Sequence, residues 1–178
     1  MMSNTNKPEL LSKLKESNQR VVNWFAEIST DKFFQREGEA WSASDNLDHL
    51  IKSHKPIAKA LKLPKFTLRT MFGSANQPSR GYEAICQVYK DTLAAGGVAS
   101  GRFLPNQQIP DNPEAIKKDL LNQFSNASAD LVSVAEKWAE ADLDGYLLPH
   151  PLIGKLTIRE MLYFTIYHNL RHASQEGD

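Results

Sequence analysis

The sequence predicts an all-α fold, a four-helix bundle with one long crossover, and three observations carry that prediction. Four stretches repeat apolar residues at helical spacing behind recognisable capping residues. No stretch shows the sustained apolar–polar alternation of a strand. About 50 residues separate the second helical stretch from the third, far more than a bundle connection needs. Helices with separate apolar faces bury them best against one another, and a long crossover lets two consecutive helices run parallel.

The first helix is expected over Lys7 to Ser29, with Asn6 as its cap and Pro8 in the first turn, where proline is tolerated. Its apolar face is Leu10, Leu14, Val21, Trp24, Phe25 and Ile28. The second starts behind Ser42, with Asp45 three residues on as a weaker form of the capping box, and runs to about Leu61 with a kink or reset at Pro56. A third begins after Asp111 or Asn112 with Pro113 at its first position. The last opens on Thr157 and Glu160, a full capping box. Within the crossover a short extra helix is expected from Tyr82 to Ala94, ended by Gly96 and Gly97.

The chain has 178 residues, and residues 1–178 are expected to form one domain. Its 21 basic and 21 acidic residues balance, which argues against nonspecific nucleic-acid binding. No apolar run approaches the length of a membrane span, and the N-terminal stretch lacks a signal-peptide core. The one cysteine, Cys86, allows no intrachain disulfide, and a cytoplasmic setting is expected. Nothing beside Cys86 in sequence activates it as a nucleophile, so packing is its expected role.

Chemistry concentrates in the histidines. His168 and His172 stand four residues apart on one face of the last helix, together with Met161, Phe164 and Thr165. Buried imidazoles need partners for their nitrogens, and two at this spacing can converge on one ion. A third ligand has to come from another element, and His49, His54 and His150 are the candidates besides the carboxylates. Periodicity favours His54, which sits in the stripe of Leu47, Leu50, Ile51, Ala58 and Leu61, whereas His49 falls off it.

Two stretches, "WSASDNLDHLIKS" and "HPLIGKLTIREMLYFTIYHNLRHASQ", resemble the DinB-like superfamily, which includes bacterial thiol-dependent transferases. The likeness rests on Trp41, Ser42 and His49 in the first stretch and on His168, Arg171, His172 and Gln175 in the second. The resemblance implies an up-down-down-up bundle, often a homodimer. It also implies a divalent metal, usually zinc or nickel, held by His49, His168 and His172 with coordination positions left open. His54 stays the alternative third ligand. On this resemblance the expected activity is transfer of a low-molecular-weight thiol to a small-molecule electrophile, or metal-dependent hydrolysis. The alternative is a non-catalytic binding or stress-response module that acts through a dimer surface.

Other residues take expected roles from their position. Asp45, one turn before His49, is read first as a helix-cap carboxylate, and otherwise as an acceptor for His49 or a general base. Arg171 is read as pairing with Glu160 or another carboxylate, or as an anchor for an anionic substrate. Lys62, Lys65, Arg69 and Arg80 lie in a stretch without acidic residues, which is read as a solvated loop, or else as one that recruits carboxylate-bearing thiols to the site. His150, Pro151 and Gly154 are expected to shape the turn into the last helix.

Overall fold

Asn6 accepts a hydrogen bond from the Glu9 amide and Pro8 stands in the first turn, and so α1 begins, spanning Lys7–Glu27. In this computed structural model, which describes residues 5–106 and 110–174, the elements follow in order. They are α2 (Thr30–Phe34), α3 (Ala43–Leu61), α4 (Lys65–Phe72), α5 (Tyr82–Ala94), a 3-10 turn (Gly101–Phe103), α6 (Pro113–Glu136), α7 (Asp142–Gly145), β1 (Leu147–His150), β2 (Gly154–Thr157) and α8 (Ile158–His172). The long helices α1, α3, α6 and α8 form the bundle. The caps fall where the sequence placed them: Ser42 with Asp45 and Thr157 with Glu160 make reciprocal boxes, and Asn112 caps α6 through the Ala115 amide.

Side-chain bonds between helices establish the direction of each. Thr5 donates to the Tyr163 hydroxyl near the start of both α1 and α8, and Asn169 donates to Ser17 and Asn18 further along, so these helices run parallel. Lys7 reaches the Glu136 and Trp138 carbonyls while Lys117 reaches those of Ala26 and Ile28, which makes α1 and α6 antiparallel. Lys55 meets Gln123 and Lys62 meets Asp130, so α3 and α6 run parallel. The result is the expected up-down-down-up bundle, with α3 and α8 antiparallel across the site described below.

Two apolar clusters fill the bundle. One gathers Leu10, Leu14, Ile57, Leu131, Leu162 and their neighbours, and the other gathers Val21, Phe25, Phe33, Leu47, Leu50 and Phe124. Between them along the helices lies a buried polar layer of Ser17, Asn18, His54, Ser128, His168 and Asn169. Hydrophobic burial drives assembly, and this layer sets where polar chemistry can occur.

Several elements depart from the sequence reading. The first helix stops at Glu27, and Ser29 precedes a separate short helix that sinks Phe33 against Phe25 at 6.3 Å between rings. The crossover contains α4 as well as the expected α5. No strand was expected, yet β1 and β2 pair antiparallel from Leu147↔Thr157 to His150↔Gly154. Each strand has four residues, too few to display an alternation. Gly154 closes the hairpin at φ +78°, a conformation that L side chains rarely adopt. α3 is continuous through Pro56.

Thr157 joins the hairpin to α8. Its hydroxyl accepts from the Glu160 amide at 3.1 Å and lies 2.7 Å from Ser79 Oγ of the crossover. Thr157→Ala should destabilise the protein by about 1 to 2 kcal/mol. Urea unfolding with an unchanged slope and a lowered midpoint is the expected result.

Candidate metal centre

Because α3 and α8 run antiparallel, His49 meets His168, and Asn46, nearly one turn earlier, meets His172. The Nε2 atoms of His49 and His168 are 3.0 Å apart, and those of His172 and His168 are 3.1 Å apart. Among the described residues the three histidines form a group whose ligand atoms lie within 4.8 Å of one another.

Their outer nitrogens determine their tautomers. His49 Nδ1 lies 2.7 Å from the Phe103 carbonyl oxygen, which can only accept, so His49 donates there. His172 Nδ1 lies 2.6 Å from Asn46 Oδ1. The Asn46 amide nitrogen is committed as donor to the Ser42 and Trp41 carbonyls, so its oxygen accepts and His172 donates. In their neutral forms both rings therefore turn Nε2 lone pairs toward His168. Those lone pairs can be met by a proton on His168 Nε2 or by a cation between the rings, and this donor set fits a divalent cation.

Electrostatics keeps these rings neutral. Burial holds His168 well below the ordinary histidine value, reinforced by its His172 and His49 neighbours. Burial does the same for His172, with His49 and Arg171 adding to it. His49 is lowered by burial too, partly offset by its bond to the Phe103 carbonyl. Neutral imidazole is the form that ligates metal.

Aromatic rings hold the imidazoles in place. Trp41 lies 5.0 Å from the His49 ring and stacks near-parallel to His172 at 6.4 Å. Phe164 stacks on His168 at 5.0 Å. A cavity of about 330 Å³ reaches the cluster at His49 and His168, with walls from Ile57, Leu63, Phe72, Leu148, Met161 and Phe164. The three imidazoles therefore stand beside an open space instead of being sealed in packing.

A family model of the DinB superfamily matches residues 13–175. The chain belongs to the DinB superfamily. No curated protein and no solved structure matches it.

Within this DinB-superfamily chain, the structure separates residues that the sequence left as alternatives. His54 is fully buried but faces Phe124 of α6 at 5.1 Å, and its Nδ1 bonds to the Leu50 carbonyl. Five residues of helix turn it about 140° from His49, so α3 gives His54 to α6 and His49 to α8. His150 lines the cavity outside the cluster. Asp45 is a cap: it accepts from the Ser42 amide and hydroxyl and from Arg36, while the partner of His49 is Phe103. Glu160 binds Arg80 rather than Arg171, and Arg171 lies over the Tyr89 ring at 5.9 Å. Gln175, part of the motif, lies outside the described residues. Of the four crossover cations, Lys62 pairs with Asp130, Lys65 with Asp142 and Arg80 with Glu160, and Arg69 covers Tyr146. Lys59 and Arg102 line the cavity instead. Cys86 is buried, and burial pushes its thiol upward, away from a reactive thiolate.

Asn46, Phe103, Trp41 as a cover for imidazoles, and the cavity cations escaped the sequence reading. Only Trp41 and Asn46 had a local signal, through their place around the start of α3.

His54 gives the fold a pH dependence of definite sign. Burial pushes it down to about 4 from 6.5. Between those values the unfolded chain binds the extra proton, so stability is full above about pH 6.5 and falls as pH drops toward 4. The difference corresponds to about 3 kcal/mol. Chemical denaturation from pH 7 to 4.5 should show a shallower acid loss in His54→Leu than in the wild type.

Proposed function

We propose that this protein is a divalent-metal-dependent enzyme with His49, His168 and His172 as ligands, and that it transfers a low-molecular-weight thiol to an apolar small-molecule electrophile. Convergence of three neutral Nε2 atoms beside an apolar cavity is the observation that carries the proposal. Zinc and nickel suit three imidazoles and are the metals expected. A bound divalent cation would supply Lewis acidity, lowering the pKa of a thiol or water that reaches it.

The chain's own residues do the rest. The Phe103 carbonyl and Asn46 Oδ1 hold the protons of His49 and His172 away from the centre and fix the ring orientations. Trp41 and Phe164 pin the rings by stacking, and the apolar walls exclude water from an electrophile. In transfer, the thiol's S–H proton departs to solvent as its sulfur bonds to the electrophilic carbon, and the electron pair of the bond broken at that carbon leaves with the displaced anion. No aspartate or glutamate lines the cavity. Hydrolysis generally uses a positioned base to activate water, so this lining favours thiol transfer.

A homodimer and a cytoplasmic setting belong to the same proposal. Among the described residues no helix is long and apolar enough to cross a membrane, and Phe66 and Met71 are exposed at 79% and 59%. Light scattering should return twice the chain mass.

Elemental analysis of untagged protein tests the centre, with wild type and His172→Ala each titrated with zinc and nickel. About one metal per chain in the wild type, lost in the variant, is expected; no metal in either protein sinks the proposal. Asn46→Ala should keep the stoichiometry but weaken zinc affinity about 10- to 100-fold. With an aromatic electrophile, turnover should require added thiol. Turnover without one would replace transfer by hydrolysis.

A further inference from the structure

His150 belongs to no ligand set, yet its chemistry is fully specified. Its Nδ1 accepts from the Leu152 and Ile153 amides, both at 3.2 Å, so the ring proton resides on Nε2. Burial pushes His150 down to about 4, which keeps it neutral near pH 7. The ring packs against Phe164 at 4.3 Å, and Phe164 in turn stacks on His168. His150 thus lines the same cavity as the metal ligands. Among the described residues no group accepts a hydrogen bond from its Nε2–H. A donor beside apolar walls favours a ligand that brings an acceptor to it.

The charges around the cavity say which acceptor. Lys59 and Arg102 line it, and neither is in an ion pair among the described residues. No carboxylate lines it. Apolar walls with a cationic lining and a neutral imidazole donor complement an amphipathic anion. We infer that the cavity takes an apolar organic acid, whose carboxylate accepts from His150 Nε2–H and is attracted by Lys59 and Arg102. His150 is then a positioning residue that orients the substrate relative to His49 and His168. The inference rests on the cavity being the substrate site of the proposed enzyme.

Calorimetric titration of the full chain with octanoate, octanol and octylammonium tests it, in zinc-treated and chelator-treated protein alike. Octanoate should bind about tenfold or more tighter than either analogue in both forms. His150→Asn retains an oxygen for the turn amides but removes the ring donor; it should melt close to wild type and lose about tenfold in octanoate affinity with octanol unchanged. The double variant Lys59→Ala/Arg102→Ala, altered away from the packed core, should lose octanoate preference likewise. Equal affinities for octanoate and octanol, absence of octanoate binding, or a preference untouched in both variants overturns the inference. Octanoate binding confined to zinc-treated protein also overturns it, because the carboxylate would then be read by metal. Octanoate preference in protein that takes up no zinc would uphold the cavity inference while the metal proposal fails.

Discussion

A buried imidazole nitrogen is costly to leave unmatched, and although His54 Nε2 stands without a partner, the centre of this bundle is organised around that cost. Three rings placed close together cannot all turn protons inward, nor can they hold lone pairs together without a positive partner. The bundle resolves the outer half of the problem with two acceptors from different parts of the chain, the Phe103 carbonyl and Asn46 Oδ1. The inner half can be met by a proton on His168 Nε2 or by a cation. Much of the architecture serves this arrangement: α3 and α8 run antiparallel so that Asn46 and His49 meet His172 and His168, and Trp41 covers two of the rings.

The opposite end of the bundle is secured by charge. Arg159 is buried and donates to Asp144, Glu140 and the Thr5 carbonyl, binding α8 to α7 and to the entry of α1. Glu160 caps α8 and accepts from Arg80 of the crossover. Buried charges of this kind are tolerable because they are multiply bonded. They hold α8 in register, and register decides whether His168 and His172 reach their partner helix.

The four long helices were legible because each carries periodic apolar residues and a cap, signals that act within a few residues. The hairpin was not, since four-residue strands leave no period to count. The histidine pair on α8 was readable from its spacing. Its third member was harder, because a wheel ranks positions by one apolar face, whereas α3 packs on α6 and α8 at once. His54 holds the stripe and turns to α6, whereas the Trp41–His49 motif names the histidine that the fold brings beside His168 and His172. Phe103 could not have been foreseen, since a backbone carbonyl leaves no mark on the residue types around it. Lys59 and Arg102 stand far apart in sequence and meet only at the cavity, whereas the richer run of Lys62, Lys65, Arg69 and Arg80 is paired elsewhere or laid over a ring.

The bond from His49 to Phe103 spans 54 positions of sequence and comes from a single 3-10 turn in the crossover. Lys52, one turn along α3 from His49, holds the same segment through the Leu104 carbonyl and Asn106. For the proposed metal centre, ion affinity and the order of this segment would be reciprocally linked: whatever steadied one would steady the other by the same free energy. A ligand that pulled the Phe103–Asn106 turn aside would loosen the ion without touching it, and loading the ion would slow amide exchange in a loop that coordinates nothing. The crossover is thus a handle on the centre as well as a connection between helices.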